Sequence, residues 1–236
     1  MKILIIVFIL LALLLGIPYI AAGWGEKPLT DQERAIHAPG KTITIDGGVI
    51  HYVERGPIDA PVIVMVHGFS TPHFIFEQNA AALADAGFRV IQFDHFGRGW
   101  SDRPNASYDI EFYDDELLNV LDALELDAPV GLVGLSMGGV ITAEFMANHA
   151  GRVSGLFLLV SAGLSLSSSS DGALTKLIKT PIVGDWLWRL FARSTLLGDS
   201  TYDDAGLAEV QRLQGDVTRQ MDFKGYFPAL LSSLRN

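Results

Sequence analysis

The chain has 236 residues, a formal net charge of −10 and no cysteine. Its length suits one moderate domain with a core large enough to stand alone. The acidic balance, with no basic cluster, weighs against a nucleic-acid partner, and the absence of cysteine excludes disulfides and thiol chemistry.

Met1-Lys2 precede a run from Ile3 to Ala22 that carries no charge. About 20 residues at helical rise span about 30 Å, the thickness of a bilayer core. A cleaved signal peptide has a shorter apolar region and a small-x-small cleavage site. Ile20-Ala21-Ala22 is a poor site of that kind. Residues 1–22 therefore read as a transmembrane signal anchor, with a cleaved signal peptide as the alternative. Lys2 is the sole flanking charge before Glu26. It favours an N-terminus inside and a domain outside the cytoplasm; cleavage would leave the domain secreted or periplasmic.

Residues 23–39 mix Gly, Pro and both charges and read as a linker. A core then runs over 40–164. Thr42 to Ile45 alternates, Asp46-Gly47-Gly48 is a hairpin-type turn, and Val49 to Val53 reads as the second strand. Pro61 to Val66 is a continuous apolar run, the pattern of a strand buried on both faces. It ends in His67-Gly68-Phe69-Ser70. Phe74 to Ala86 predicts a helix stopped by Gly87, and Arg89 to Phe93 a strand followed by Asp94-His95-Phe96-Gly97-Arg98-Gly99-Trp100-Ser101-Asp102. Ile110 to Leu124 is helical, and Leu156 to Val160 predicts a further strand.

Between these last two, Val130 to Leu135 is an apolar run ending in Gly134-Leu135-Ser136-Met137-Gly138-Gly139, and a helical pattern to about His149 follows at once. This is the strand–turn–helix setting of a nucleophile elbow. Small residues at 134 and 138 let the helix backbone pass close to the strand, and the helix N-terminus offers free N–H groups beside Ser136. Strands alternating with helices imply a parallel sheet covered on both faces, with ligands at the carboxyl ends of the strands. His67-Gly68-Phe69, Asp94 and Ser136 all fall there.

After the serine-rich stretch 165–170 the pattern is helical only, over about 173–179, 185–193, 204–221 and 226–235. The region 165–236 is read as a helical region following the 40–164 core.

Three motifs, His67-Gly68-Phe69-Ser70, the loop from Asp94 to Asp102, and Gly134 to Gly139, make residues 40–236 resemble an α/β-hydrolase-fold serine hydrolase. The resemblance is to the branch of carboxylesterases, monoacylglycerol-lipase-like enzymes and carbon–carbon bond hydrolases. Serine at the elbow argues against epoxide hydrolases and haloalkane dehalogenases, which carry aspartate there. The resemblance implies a mostly parallel sheet flanked by helices, with 165–236 as a helical cap over the substrate pocket. It implies Ser136 as nucleophile, activated by a neighbouring base, and the N–H groups of Phe69 and Met137 as the oxyanion hole. The apolar side chains at 69 and 137 are expected to line the site. His67, Gly68, Gly134 and Gly138 are expected to build the site structurally, with Asp94 hydrogen-bonding backbone groups, and His95 and Arg98 bracing their loop.

In that family the acid and the histidine follow the elbow in the chain. The six histidines stand at 37, 51, 67, 73, 95 and 149. The expectation is therefore that the catalytic acid and histidine are not in this chain, that the last two strands are missing, and that residues 1–236 are the N-terminal part of an enzyme and inactive alone. The expected reaction is hydrolysis of a small or lipid-like ester. Carbon–carbon hydrolysis and a non-catalytic module are the alternatives. There is no HExxH and no Gly-rich phosphate loop after the first strand, so no metal or cofactor is expected.

Overall fold

The computed structural model describes residues 2–162, 172–198 and 208–236. The serine-rich stretch, Asp171 and the first residues of the helix expected from 204 lie outside the described residues.

Helix α1 (Lys2–Ala22) is long and apolar enough, by length and composition, to cross a membrane. The stretch read as a linker contains a helix, α2 (Asp31–His37). Thr30 caps it by accepting the Glu33 N–H at 3.2 Å. Its Arg34 is buried: Nε donates to the Trp100 carbonyl at 2.8 Å, and the guanidinium also pairs with Asp31 and Asp102. The segment is thereby docked on the domain.

Strands β1 (Lys41–Ile45) and β2 (Gly48–Arg55) form the expected hairpin, with Ile45 paired to Gly48 across the turn. Then come β3 (Val62–Val66), a 3₁₀ turn (His73–Phe76) leading into α3 (Glu77–Asp85), and β4 (Arg89–Phe93). The remaining core elements are α4 (Ile110–Ala123), β5 (Val130–Leu135), α5 (Met137–Asn148) and β6 (Val153–Leu159). Strand β6 starts three residues earlier than its apolar pattern suggested, because Val153 already pairs with Val130.

The sheet order is β1-β2-β4-β3-β5-β6, antiparallel at the hairpin and parallel from β4 onward. Side chains of β3 and β5 alternate between two apolar clusters. Val64, Val66, Val130 and Leu132 meet the Tyr113-Leu117-Val120-Leu121 face of α4 and Ile141 and Phe145 of α5. Ile63, Met65, Val133 and Leu135 pack with Phe76 and Ala80 on the opposite face. Chain connections run from β3 to β4 on one side and then to β5 on the other. The carboxyl ends of β3 and β5, neighbours with Val66 opposite Gly134, thus form the crevice where such sheets bind ligands. Strand β6 bonds to β5 alone among the described strands, and its Phe157 is exposed.

Four helices follow: α6 (Ala173–Lys179), α7 (Val183–Gly198), α8 (Ala208–Gln220) and α9 (Tyr226–Arg235). Ala229 of α9 belongs to the main cluster, while Tyr226, Phe227, Leu230 and Leu231 join Trp188, Ala192 and Met221 in a cluster that packs against Phe69.

Candidate active site

Ser136 ends β5 and begins α5, with φ 53° and ψ −115°. A non-glycine residue there is strained by about 1–3 kcal/mol and persists only when its surroundings force it. The forcing is visible. Its N–H donates to the Leu159 carbonyl, and its own carbonyl accepts from the Gly139 and Ala162 N–H groups, each at 3.0 Å. The chain also turns in a space closed to side chains. A Cβ on Gly134 would lie 2.3 Å from Thr142 Oγ1 and 2.5 Å from the Gly138 carbonyl.

Ser136 occupies the N-cap position of α5, yet its hydroxyl makes no cap hydrogen bond. The hydroxyl faces Gly68: a Cβ there would meet Ser136 Cβ at 3.2 Å and Oγ at 3.7 Å. Residue 69 lies three positions beyond Val66, and residue 137 three beyond Gly134, its partner in register. Neither the Phe69 nor the Met137 N–H finds an acceptor among the described residues. The Phe69 carbonyl is fastened by Arg98 Nε at 3.1 Å, and the same guanidinium donates to Phe96 O and Ser233 Oγ. The two apolar side chains part company. Phe69 packs against the Trp188–Phe227 cluster, whereas the partly buried Met137 packs against the main core.

His67 is fully buried behind this loop. Its Nε2 accepts the His95 N–H at 3.0 Å, so the ring proton sits on Nδ1 and is donated to the Gly68 carbonyl at 2.8 Å. Burial, with His95 beside it, holds its pKa well below the usual histidine range. A neutral ring with both nitrogens used is a strut.

Asp94 does more than hold backbone. Oδ1 accepts the His73 N–H at 2.9 Å and His73 Nδ1 at 2.7 Å; Oδ2 accepts His51 Nδ1 at 2.8 Å and the Trp100 N–H at 3.0 Å. Burial opposes its charge, but the two histidines outweigh burial and hold its pKa well below the carboxylate range. His73, opposed by the same burial, is raised by Asp94. His51, His73 and Asp94 also bring three potential metal-ligand atoms within 4.8 Å of one another. Their donors and acceptors are matched to each other, so the arrangement is complete as a hydrogen-bond cluster.

His95 and Arg98 brace their loop as expected, through a partner that the spacing did not reveal. His95 Nδ1 contacts Glu116 Oε2, and Glu116 Oε1 accepts the Phe96 N–H at 2.6 Å. Burial raises Glu116 to about 8; burial and Arg98 lower His95 to about 3. Burial thus favours the neutral form of both partners. The signal available in sequence was an acid at 116 on the buried face defined by 113, 117 and 120, where a carboxyl needs a partner.

Every histidine is engaged elsewhere. Besides those above, His37 lies 3.8 Å from Glu33 and His149 lies 2.8 Å from Asp114. No hydrogen bond reaches Ser136 Oγ among the described residues.

The alpha/beta hydrolase fold family model matches residues 61–210, more than half of the chain. The chain belongs to the alpha/beta hydrolase family. Similar members include the AB hydrolase superfamily protein YisY of Bacillus subtilis, 38% identical over 110 residues, which are 47% of this chain and 41% of that protein. Epoxide hydrolase A of Mycobacterium tuberculosis is 34% identical over 125 residues, 52% of this chain and 38% of that protein. The chain thus spans about two fifths of the length of these curated relatives. Among solved structures, an esterase from Exiguobacterium antarcticum superposes with a TM-score of 0.65 at 24% identity, covering 84% of this chain and 74% of that one. That likeness is one of fold. Within an alpha/beta hydrolase, Ser136 stands at the strand-to-helix turn that the fold uses for its nucleophile.

Proposed function

We propose that this alpha/beta hydrolase is a serine hydrolase that cleaves small or lipid-like carboxylic esters through an acyl-enzyme on Ser136. The observation that carries the reading is the strained Ser136 backbone, which leaves the hydroxyl free of capping, while the Phe69 and Met137 N–H groups have no acceptor among the described residues. In the first step Oγ bonds to the ester carbonyl carbon while its proton passes to a base. The carbonyl oxygen becomes an oxyanion held by the Phe69 and Met137 N–H groups. One such donor supplies about 2.7–4 kcal/mol in acyl transfer. The tetrahedral adduct collapses by breaking the bond to the alkoxy group, which takes the proton and leaves as an alcohol. Water then repeats the sequence and releases the acid.

Among the described residues none of the six histidines hydrogen-bonds to Ser136 Oγ, so Ser136 is proposed to lack an activating base in this arrangement. Loss of a triad member lowers turnover on the order of 10⁴–10⁶-fold, and residues 1–236 are proposed to be nearly inactive by themselves. A serine at the elbow supports the ester reading over the epoxide and haloalkane chemistry named for some relatives. The length and apolarity of α1 support a role as a membrane anchor that places the domain outside the cytoplasm. Fluorophosphonate labelling of the protein tests the nucleophile: it should vanish in Ser136→Ala, and labelling that survives that change would refute the assignment.

A further inference from the structure

Helix α7 has two apolar faces. Trp188, Ala192 and Leu196, at i, i+4 and i+8, point into the domain and share a cluster with Phe227 and Phe69. Toward solvent Val183, Phe191 and Leu197 are exposed, Phe191 by 55%, interspersed with the polar Arg193, Ser194 and Thr195. The turn before the helix adds Ile182, 83% exposed, and the neighbouring α6 adds Leu174 and Leu177. A surface helix of a water-soluble domain shows one apolar stripe and a polar back; apolarity on both sides calls for an apolar medium on both. A cluster of exposed large apolar side chains of this kind marks a docking site.

The fold says what that medium is. Helix α7 packs along α1, the apolar helix at the start of the chain. Trp186 Nε1 donates to the Leu15 carbonyl at 2.9 Å, and Arg189 Nε donates to the Tyr19 carbonyl at 3.1 Å with its guanidinium over the Tyr19 ring. Leu15 and Tyr19 stand about 10 and 5 Å before the end of α1 at Ala22, at the rise of an α-helix. That matches the roughly 5–10 Å to which interfacial helices bury their apolar face. Trp24, 86% exposed just past the helix end, is the residue type that gathers at the membrane–water boundary. The last turn of α6 supplies Lys176, a cation suited to phosphate headgroups in an otherwise acidic chain.

We propose that the exposed apolar face of α6 and α7 lies in the headgroup–acyl boundary of a phospholipid bilayer, beside the entry point of α1. The proposal rests on the anchor reading of α1 for its geometry. Its consequence is that one helix touches lipid on its outer face and the Phe69-packed cluster on its inner face.

The chain has no cysteine, so single-cysteine variants of the full chain can be spin-labelled without further change. Leu177→Cys, Ile182→Cys and Phe191→Cys are read in vesicles of phosphatidylcholine and phosphatidylglycerol. Leu10→Cys reports on α1, and the exposed Ile58→Cys on the core. All five positions are partly or fully open, so the changes spare the core. The expected result is a several-fold higher ratio of oxygen to water-soluble nickel accessibility at 177, 182 and 191 than at 58. Water-like values at those three positions with lipid-like values at 10 would overturn the docking face and leave the anchor standing. Lipid-like values at the three with a water-like value at 10 would keep the docking face and remove the anchor.

Discussion

Gly138 passes so close to Val66 that a Cβ would lie 2.2 Å from the Val66 carbonyl oxygen and 2.5 Å from that of His67. Both neighbours are backbone, and neither can yield by a side-chain rotation. This contact seats the first turn of α5 on the end of β3 and brings Ser136 alongside Gly68. Gly138→Ala should destabilise the domain by about 3 kcal/mol or more. Gly215→Ala, in α8 with nothing near the added methyl, should stabilise it by up to about 1 kcal/mol. Urea midpoints of the two variants check the contrast.

Asp94 gathers four donors from three parts of the chain, so its replacement should be felt well beyond its loop. In Asp94→Asn the amide turns a donor toward donors and removes the charge that favours a protonated His73. A loss of about 3 kcal/mol or more is expected, together with faster amide exchange at His73 and Trp100. Wild-type stability restricted to those two amides would contradict a shared hub.

Glu116 gives a pH signature. Its pKa in the fold is about 8 against an ordinary 4.5. A raised carboxyl pKa means that the protonated form is favoured in the native state. Its stabilising contribution is full below about 4.5 and is lost as pH climbs toward 8. Glu116→Gln keeps the donor to His95 and the acceptor for Phe96 without the proton. The variant should lie within about 1 kcal/mol of the wild type near pH 5 and exceed it at pH 9 by several kcal/mol, about 4 at most. A gap that shrinks as pH rises would mean an ionised Glu116 against a charged His95.

Much of the fold was legible because its signals are local. The hairpin showed in Asp46-Gly47, the buried strands in unbroken apolar runs, and the elbow in glycines flanking Ser136. The docked α2 was missed although Thr30-Asp31-Gln32-Glu33 has the form of a capping box, because Gly and Pro around it suggested a linker. The pairing of His73 with Asp94, and of Arg98 with Ser233, joins residues far apart in the chain through packing that no periodicity encodes. Met137 was expected to line the site as an apolar neighbour of Ser136; its partly buried side chain also packs against the main core, a contact no local pattern announced.

Ser136 is proposed as a nucleophile that no histidine of the described residues touches. Labelling of residues 1–236 by a fluorophosphonate, with and without added imidazole, tests it most directly. Slow labelling that accelerates with imidazole and disappears in Ser136→Ala is the predicted result. Rapid labelling indifferent to imidazole would place a base within the chain, and labelling that is absent throughout or survives Ser136→Ala would contradict the nucleophile itself.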